Sequence, residues 1–281
     1  MIVDAHHHLW DPGARRHVWL DTLPQLRRPF GIRELGQLAT AHSVTASVLV
    51  QVLASAAETG EFLALAGRTP LLAGVVGWAD QTAPGVADEL ARLRQLPGGG
   101  HLAGIRHLVQ DEPDPDWLSR PDVRRGLRAV GDAGLVYDLL IRPGQLPAAV
   151  AAVRDLDTVR FVLDHGAKPD IAHGQAQPWS TLIGELAAAP NVSCKLSGLV
   201  TEAGRNWTAA QITPYVHRLL DCFGPARLMF GSDWPVCTLA ADYGDVLRLA
   251  VATLDGRLSP AELDGVLAGN AARWYGLRLQ D

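Results

Sequence analysis

The chain reads as a single (β/α)8 TIM barrel spanning residues 1–281. Three observations lead there. Short apolar, β-branched runs recur at intervals of about thirty residues, the spacing of β–α units. Amphipathic stretches rich in Ala, Leu and Arg fill the intervals at helical period. No Gly/Ser-rich linker divides the chain, whose length and 48% hydrophobic content suit one large core.

The elements follow in order. The first apolar run is 2–8, and a long segment, 9–30, leaves it carrying Trp10, Trp19, Arg15, Arg16, Arg27 and Arg28. That segment is expected to fold over the barrel mouth as a lid before a helix at 31–42. Further strands are expected at 44–52, 72–79, 102–109, 135–141, 159–165, 192–197 and 227–233. Helices are expected at 84–96, 121–133, 145–156, 178–189 and 208–223. The acidic, proline-stiffened stretch 110–120 makes a second wall. Capping boxes mark two helix starts, Thr208-x-x-Gln211 and Ser259-x-x-Glu262, the latter with Pro260 at the first helical position. An open doubly wound sheet is the competing fold, but no G-x-G-x-x-G follows the first strand.

Composition excludes several function classes. A net charge of −5 gives no electrostatic footprint for nucleic acid or an anionic membrane. No apolar run reaches the roughly 18 residues of a membrane span. The first residues enter a strand without a signal-peptide pattern, and Cys194, Cys222 and Cys237 form neither a disulfide framework nor a zinc-finger pattern. A cytoplasmic protein is the expectation, with monomer and homo-oligomer both open.

Chemistry-bearing residues cluster where strands end, the end at which a barrel keeps its active site. His6 and His8 are two apart on an extended segment and share a face, while His7 points away. Two convergent imidazoles grip a metal or polarise a carbonyl; the plain alternative, a cloning tag, is a longer run in a polar linker. Asp233, in Gly-Ser-Asp-Trp-Pro at the end of the eighth strand, suits a general base or a metal ligand, or else a turn aspartate. His165 ends the sixth strand and shares parity with Leu163, with Asp164 facing the other side; Lys168 lies in the loop beyond. Arg106 inside an apolar run needs an anion, either a substrate carboxylate, a developing oxyanion, or an internal partner such as Asp4 or Asp138. His107 then points outward. Only two lysines occur, and Lys195 sits mid-strand, so its ammonium must be paired or aimed at the mouth. Gln51 and Asp138 are candidates for hydrogen bonds to a polyol, and Trp10 for contact with substrate from the lid. Neither a G-x-S-x-G elbow nor a phosphate-cradling loop occurs.

Taken together, Asp4-Ala-His6-x-His8-x-Trp10, Gly104-Ile-Arg106-His107, Leu163-Asp164-His165-Gly166-x-Lys168-Pro169, Lys195-Leu-Ser-Gly198, Gly231-Ser-Asp233-Trp-Pro235 and Asn270-Ala-x-Arg-x-Tyr275-Gly276 resemble the amidohydrolase-related family. The stretch from Gly104 through Asp116 resembles its sugar-lactonase branch, the L-fuconolactonase and L-rhamnono-lactonase group. The resemblance implies hydrolysis of a sugar-derived lactone to the aldonic acid. Binuclear members carry a bridging carboxylated lysine where Arg106 stands, which argues against a two-metal centre. Mononuclear relatives imply His6, His8, His165 and Asp233 as ligands of one divalent metal, zinc first, while other lactonases of the family work with none. In the implied mechanism Asp233 activates water. Arg106 with His6 and His8 steadies the oxyanion, and Lys195 and His165 anchor substrate. A zinc-dependent decarboxylase or C–N hydrolase on the same barrel, acting on a related carboxylate, is the alternative, and a non-catalytic sugar-acid binder a third.

Overall fold

The computed structural model describes residues 1–279; residues 280 and 281 of the expected 1–281 domain lie outside them. Eight parallel strands stand in chain order in one sheet: Ile2–His7 (β1), Val44–Val50 (β2), Leu72–Gly77 (β3), Leu102–His107 (β4), Val136–Leu139 (β5), Arg160–Leu163 (β6), Val192–Leu196 (β7) and Leu228–Phe230 (β8). The chain beyond β8 returns to β1. The Asp233 N–H donates to the His6 carbonyl at 2.8 Å and the His8 N–H to the Trp234 carbonyl at 2.7 Å, which closes the barrel. All eight expected strands are present. Each ends one to three residues earlier than its apolar pattern, because the exit residues stay buried while their backbone leaves the ladder.

Helices Ile32–Ala41 (α1), Ala56–Ala66 (α2), Val86–Gln95 (α3), Pro121–Asp132 (α4), Leu146–Asp155 (α5) and Trp179–Ala187 (α6) follow the first six strands. Leu199–Ala203 (α7) and Ala209–Phe223 (α8) follow β7. Tyr243–Leu254 (α9), Pro260–Asp264 (α10) and Asn270–Tyr275 (α11) follow β8. Both predicted capping boxes form, at Thr208/Gln211 and Ser259/Glu262. Among the described residues no helix is long and apolar enough to cross a membrane.

Side-chain alternation divides the core in two. Leu49, Ile105, Leu139, Leu163, Cys194 and Phe230 face outward into the layer under the helices. Val48, Val76, Val136, Val162 and Met229 face inward, where Ala271, Trp274 and Tyr275 of α11 pack beneath them and fill the end at which strands begin. In four strands the inward row then turns polar toward the exit: Arg106 after Gly104, Asp138 after Val136, Asp164 after Val162 and Asp233 two residues beyond Gly231. A plugged floor and a polar upper layer leave one end for chemistry.

Asp4 stitches the closure. Its carboxylate accepts hydrogen bonds from the Ser232 N–H (2.8 Å), the Ser232 hydroxyl (2.6 Å), the Tyr243 hydroxyl (3.0 Å) and the His6 N–H (3.1 Å). Burial pushes its pKa up to about 6, with those donors pulling the other way. Asp4→Ala strands four buried donors, and a loss of about 3 kcal/mol in urea unfolding is expected. A loss under about 0.5 kcal/mol, the range of a neutral surface substitution, would mean that these bonds do not hold the seam.

Candidate active site

The local backbone brings the site together through left-handed turns. Asp233 has φ 57°, and His165, Ala167 and Lys168 have φ of 53°, 61° and 51°. For residues other than glycine this region costs about 1–3 kcal/mol each and persists where surrounding contacts hold it. In β6 alternation does separate Asp164 from His165, but the inward row is that of Val162 and Asp164, not that of Leu163 and His165. Asp164 therefore reaches the barrel centre directly, and the left-handed turn swings His165 back to the same place. This corrects the expectation that Asp164 faces away from the site. Gly198 makes room for the ring, since a Cβ there would lie 2.7 Å from Nδ1 of His165.

Around one Asp233 oxygen, Oδ1, three imidazole nitrogens gather: Nε2 of His8 at 3.6 Å, of His6 at 3.7 Å and of His165 at 3.9 Å. The Nε2 atoms of His6 and His8 are 3.1 Å apart. His8 donates from Nδ1 to the Val50 carbonyl at 2.9 Å, which leaves its Nε2 as a lone pair aimed at the cluster. The other nitrogen of His165 meets the Ser197 hydroxyl at 2.8 Å. His7 points elsewhere, as expected, onto the Ser47 hydroxyl at 3.1 Å.

Arg106 reaches the edge of this cluster. Its Nη1 lies 3.0 Å from Asp164 Oδ2 and 3.4 Å from His6 Nε2, and Nη2 donates to the Gln51 carbonyl at 2.6 Å. Its internal partner is thus Asp164, neither Asp4 nor Asp138. Lys195 lies deeper: its ammonium is 2.5 Å from Asp138 Oδ2, 2.9 Å from Asp164 Oδ1 and 3.1 Å from His6 Nδ1. Tyr275, from the floor, donates to Asp138 at 2.8 Å. Lys195, Asp138 and Gln51 are fully buried, and Gln51 donates from Nε2 to the Arg106 carbonyl, so all three face protein groups. Trp10 is not at the cluster either. Its indole donates to the Leu26 carbonyl and packs on Trp19 and Phe30. It lines a cavity of about 450 Å³ between the lid and α2 whose walls include neither Asp233 nor the three histidines. His107 does point outward, stacking on Trp117 and meeting Glu112 at 2.6 Å.

Burial governs the charge states. It pushes the imidazoles down: His165 to about 4, His8 below its ordinary value, and His6 well below. All three are neutral near pH 7, as metal ligands must be. Burial alone would raise Asp233, but the neighbouring His165, His8 and His6 hold it well below the usual carboxylate range. In the deeper layer burial lifts Asp138 to about 6. Burial also works to raise Asp164, yet Lys195, His6 and Arg106 keep it well below normal.

The donor set fits a divalent ion. Nitrogen and oxygen ligands at about 2.0 Å from a tetrahedral zinc stand roughly 3.3 Å apart. The separations among His6, His8 and Asp233 run from 3.1 to 3.7 Å. One ligand atom each from His6, His165 and Asp233 lies within 4.8 Å of the others. The Nδ1 atoms meet partners typical of metal-binding histidines: a carboxylate for His6, a carbonyl for His8, a hydroxyl for His165.

Sequence reasoning did not find Asp164, nor Ser197, Gln51 and Tyr275 as supports. The signal for Asp164 was present in its parity with Val162.

Comparison with known proteins agrees with this geometry. A protein from Burkholderia ambifaria named L-fucono-1,5-lactonase is 39% identical over 277 residues, covering 97% of this chain and 94% of its own. Another of that name from Burkholderia multivorans is 39% identical over 287 residues, covering 98% and 96%. A crystal structure of an amidohydrolase from Burkholderia multivorans, with bound zinc, superposes with a TM-score of 0.93 at 39% identity, over 99% of this chain and all of that one. The amidohydrolase family pattern matches residues 3–277, and the chain belongs to that family.

Proposed function

We propose that this protein opens a sugar-derived 1,5-lactone to the aldonic acid with an activated water, and that residues 1–281 act as one domain. The observation that carries the reading is the ring of three neutral imidazoles around Asp233, with Arg106 beside it. The relatives' shared name supports the substrate class. Asp233 takes a proton from water lying over the lactone carbonyl as the water oxygen bonds to the carbonyl carbon. The developing oxyanion is steadied by Arg106 and the donors next to it. As the ring C–O bond breaks, Asp233 returns the proton to the departing ring oxygen, and the new carboxylic acid ionises. A divalent ion, held when bound by His6, His8, His165 and Asp233, supplies Lewis acidity and lowers the pKa of water toward about 7. Lys195, Asp138 and Gln51 act on substrate through His6 and Arg106, and Trp10 holds the lid. The three free cysteines support a reducing, cytoplasmic setting.

A pH-indicator screen over aldono-1,5- and 1,4-lactones, with zinc and with chelator, tests the reading. We expect acid release on a 1,5-lactone of the fucose type. Zinc-replete protein inert on every lactone but active on an aromatic carboxylate would overturn it.

The pH profile carries a second expectation. A histidine whose folded pKa lies near 4 stays neutral well below 6.5. Protonation of His165 itself therefore does not disable the site until pH falls toward 4. The same displacement withdraws stability in acid, because the unfolded chain binds the proton at 6.5 and the folded chain not until about 4. A ring-nitrogen NMR titration of His165 is the check, and a midpoint near 6.5 would mean that this imidazole is solvated and ordinary.

A further inference from the structure

Nδ1 of His6 has two claimants of opposite kind. The Lys195 ammonium stands 3.1 Å away and the Asp164 carboxylate oxygen Oδ1 3.2 Å away. An ammonium only donates and a carboxylate only accepts, so a neutral imidazole satisfies one of them at a time. The Lys195 contact has hydrogen-bond geometry, whereas Asp164 Oδ1 has no hydrogen-bond partner.

The other side of the ring poses the same choice. His8 must keep its proton on Nδ1 for the Val50 carbonyl, so its Nε2 presents a lone pair to His6 Nε2 at 3.1 Å. With the His6 proton on Nε2 that contact is a hydrogen bond. With the proton on Nδ1 it is two lone pairs facing each other, tolerable only with a cation between them. Arg106 Nη1 has two hydrogens: one goes to Asp164 Oδ2 at 3.0 Å, and the other reaches His6 Nε2 only at 3.4 Å, longer than the 3.1 Å contacts of the ring with His8 and Lys195.

We propose that Lys195 is a positioning residue that holds His6 as its Nε2–H tautomer in the metal-free protein, and that binding a divalent cation moves this proton to Nδ1, facing Asp164. One proton leaves Nε2 and one arrives at Nδ1 by exchange with water, so the ring's charge is unchanged. Lys195 is itself fixed: Asp138 binds it at 2.5 Å, and the Tyr275 hydroxyl holds Asp138 at 2.8 and 2.9 Å. The ammonium thus faces three acceptors, hydrogen-bonding Asp138 and His6 and standing 2.9 Å from Asp164 Oδ1 as an ion pair. Metal binding takes one of them away, so the arrangement weakens the site and makes the metal removable. The inference rests on His6, His8 and Asp233 being metal ligands and not on the identity of the lactone.

The test is ring-nitrogen NMR on full-length protein with 15N-labelled histidine, stripped by chelator and then titrated with zinc. A His6→Asn sample assigns the resonance. The expected result is a proton on Nε2 without zinc and on Nδ1 with one equivalent. A proton already on Nδ1 in stripped protein overturns the inference alone; failure of zinc to bind overturns the metal site and the inference with it. Lys195→Met should move the metal-free proton to Nδ1 and tighten zinc binding at least tenfold in calorimetry. Tighter binding with the proton still on Nε2 would show a simple charge effect and count against the proposal. If that variant does not fold, the wild-type spectra decide.

Discussion

Asp233→Asn abolishes lactone turnover, with kcat falling about a thousandfold or more, and leaves the fold unchanged. General-base catalysis by a placed carboxylate contributes about 10²–10⁴, and the substitution also replaces the anionic group that all three imidazoles face with a neutral amide. The conformation tolerates it. Asp233 sits at φ 57°, a region that asparagine enters readily, so no new strain is added. The Asp233 N–H to His6 carbonyl bond that helps close the barrel comes from the backbone and survives. A carboxylate held this far below its ordinary range binds a proton weakly. That suits a group that must stay anionic beside a cation and then pass its proton on. Thermal melting within a few degrees of wild type, with no detectable acid release in the indicator assay, is the expected pair of results. A variant that keeps a tenth of the wild-type rate would remove Asp233 from the proton path.

The barrel was legible in the sequence because strand and helix impose different periods, and every strand carries a short apolar run set off from the helical stretches. Helix α2 shows where that signal weakens: it buries Phe62, Leu63 and Ala66 but also Glu58 and Thr59, so its pattern is not one-sided. The site was legible at the strand exits, where His6, His8, Arg106 and Asp233 are polar residues ending apolar runs. What alternation could not supply was the backbone beyond the last ladder bond. β6 ends at Leu163, and from His165 to Lys168 the chain runs left-handed, which no residue type there except Gly166 announces. Parity counted through such a turn leaves His165 on the outward row of Leu163, whereas Asp164, ahead of the turn, follows Val162 inward. The same limit applies to burial. Lys195 and Asp138 look like substrate contacts when each is considered alone, and become a buried pair only when β5 and β7 are brought to their real separation of 2.5 Å between charges. Trp10 carries a polar tip that suits a ligand, but the lid's own carbonyl at Leu26 takes it.

Asp164→Asn is expected to cost about 3–5 kcal/mol of stability, the range for breaking a buried ion pair from one side, and to lower kcat by about a hundredfold, the scale of losing one oxyanion-stabilising donor. At the barrel centre the cations Lys195 and Arg106 are balanced by the carboxylates Asp138 and Asp164, and of these two Asp164 alone touches both cations. Lys195 and Arg106 hold Asp164 well below its usual pKa against the pull of burial, so its charge stabilises the fold above the ordinary carboxylate range and is lost only in strong acid. Asp138 cannot substitute. Burial has already lifted it to about 6, and Tyr275 and Lys195 occupy its oxygens. With an amide at 164, Arg106 loses its charged partner, keeps the Gln51 carbonyl and shifts relative to His6, so catalysis suffers through aim and not through loss of the base. Urea unfolding and steady-state kinetics on the same sample separate the two effects. The expected pattern is a large fall in both, with Asp164→Glu failing to restore kcat because the extra methylene moves the charge off Arg106 Nη1. If Asp164→Asn instead unfolds at the wild-type urea concentration, the buried network is not what holds Arg106 in place, and the guanidinium must owe its position to the Gln51 carbonyl alone.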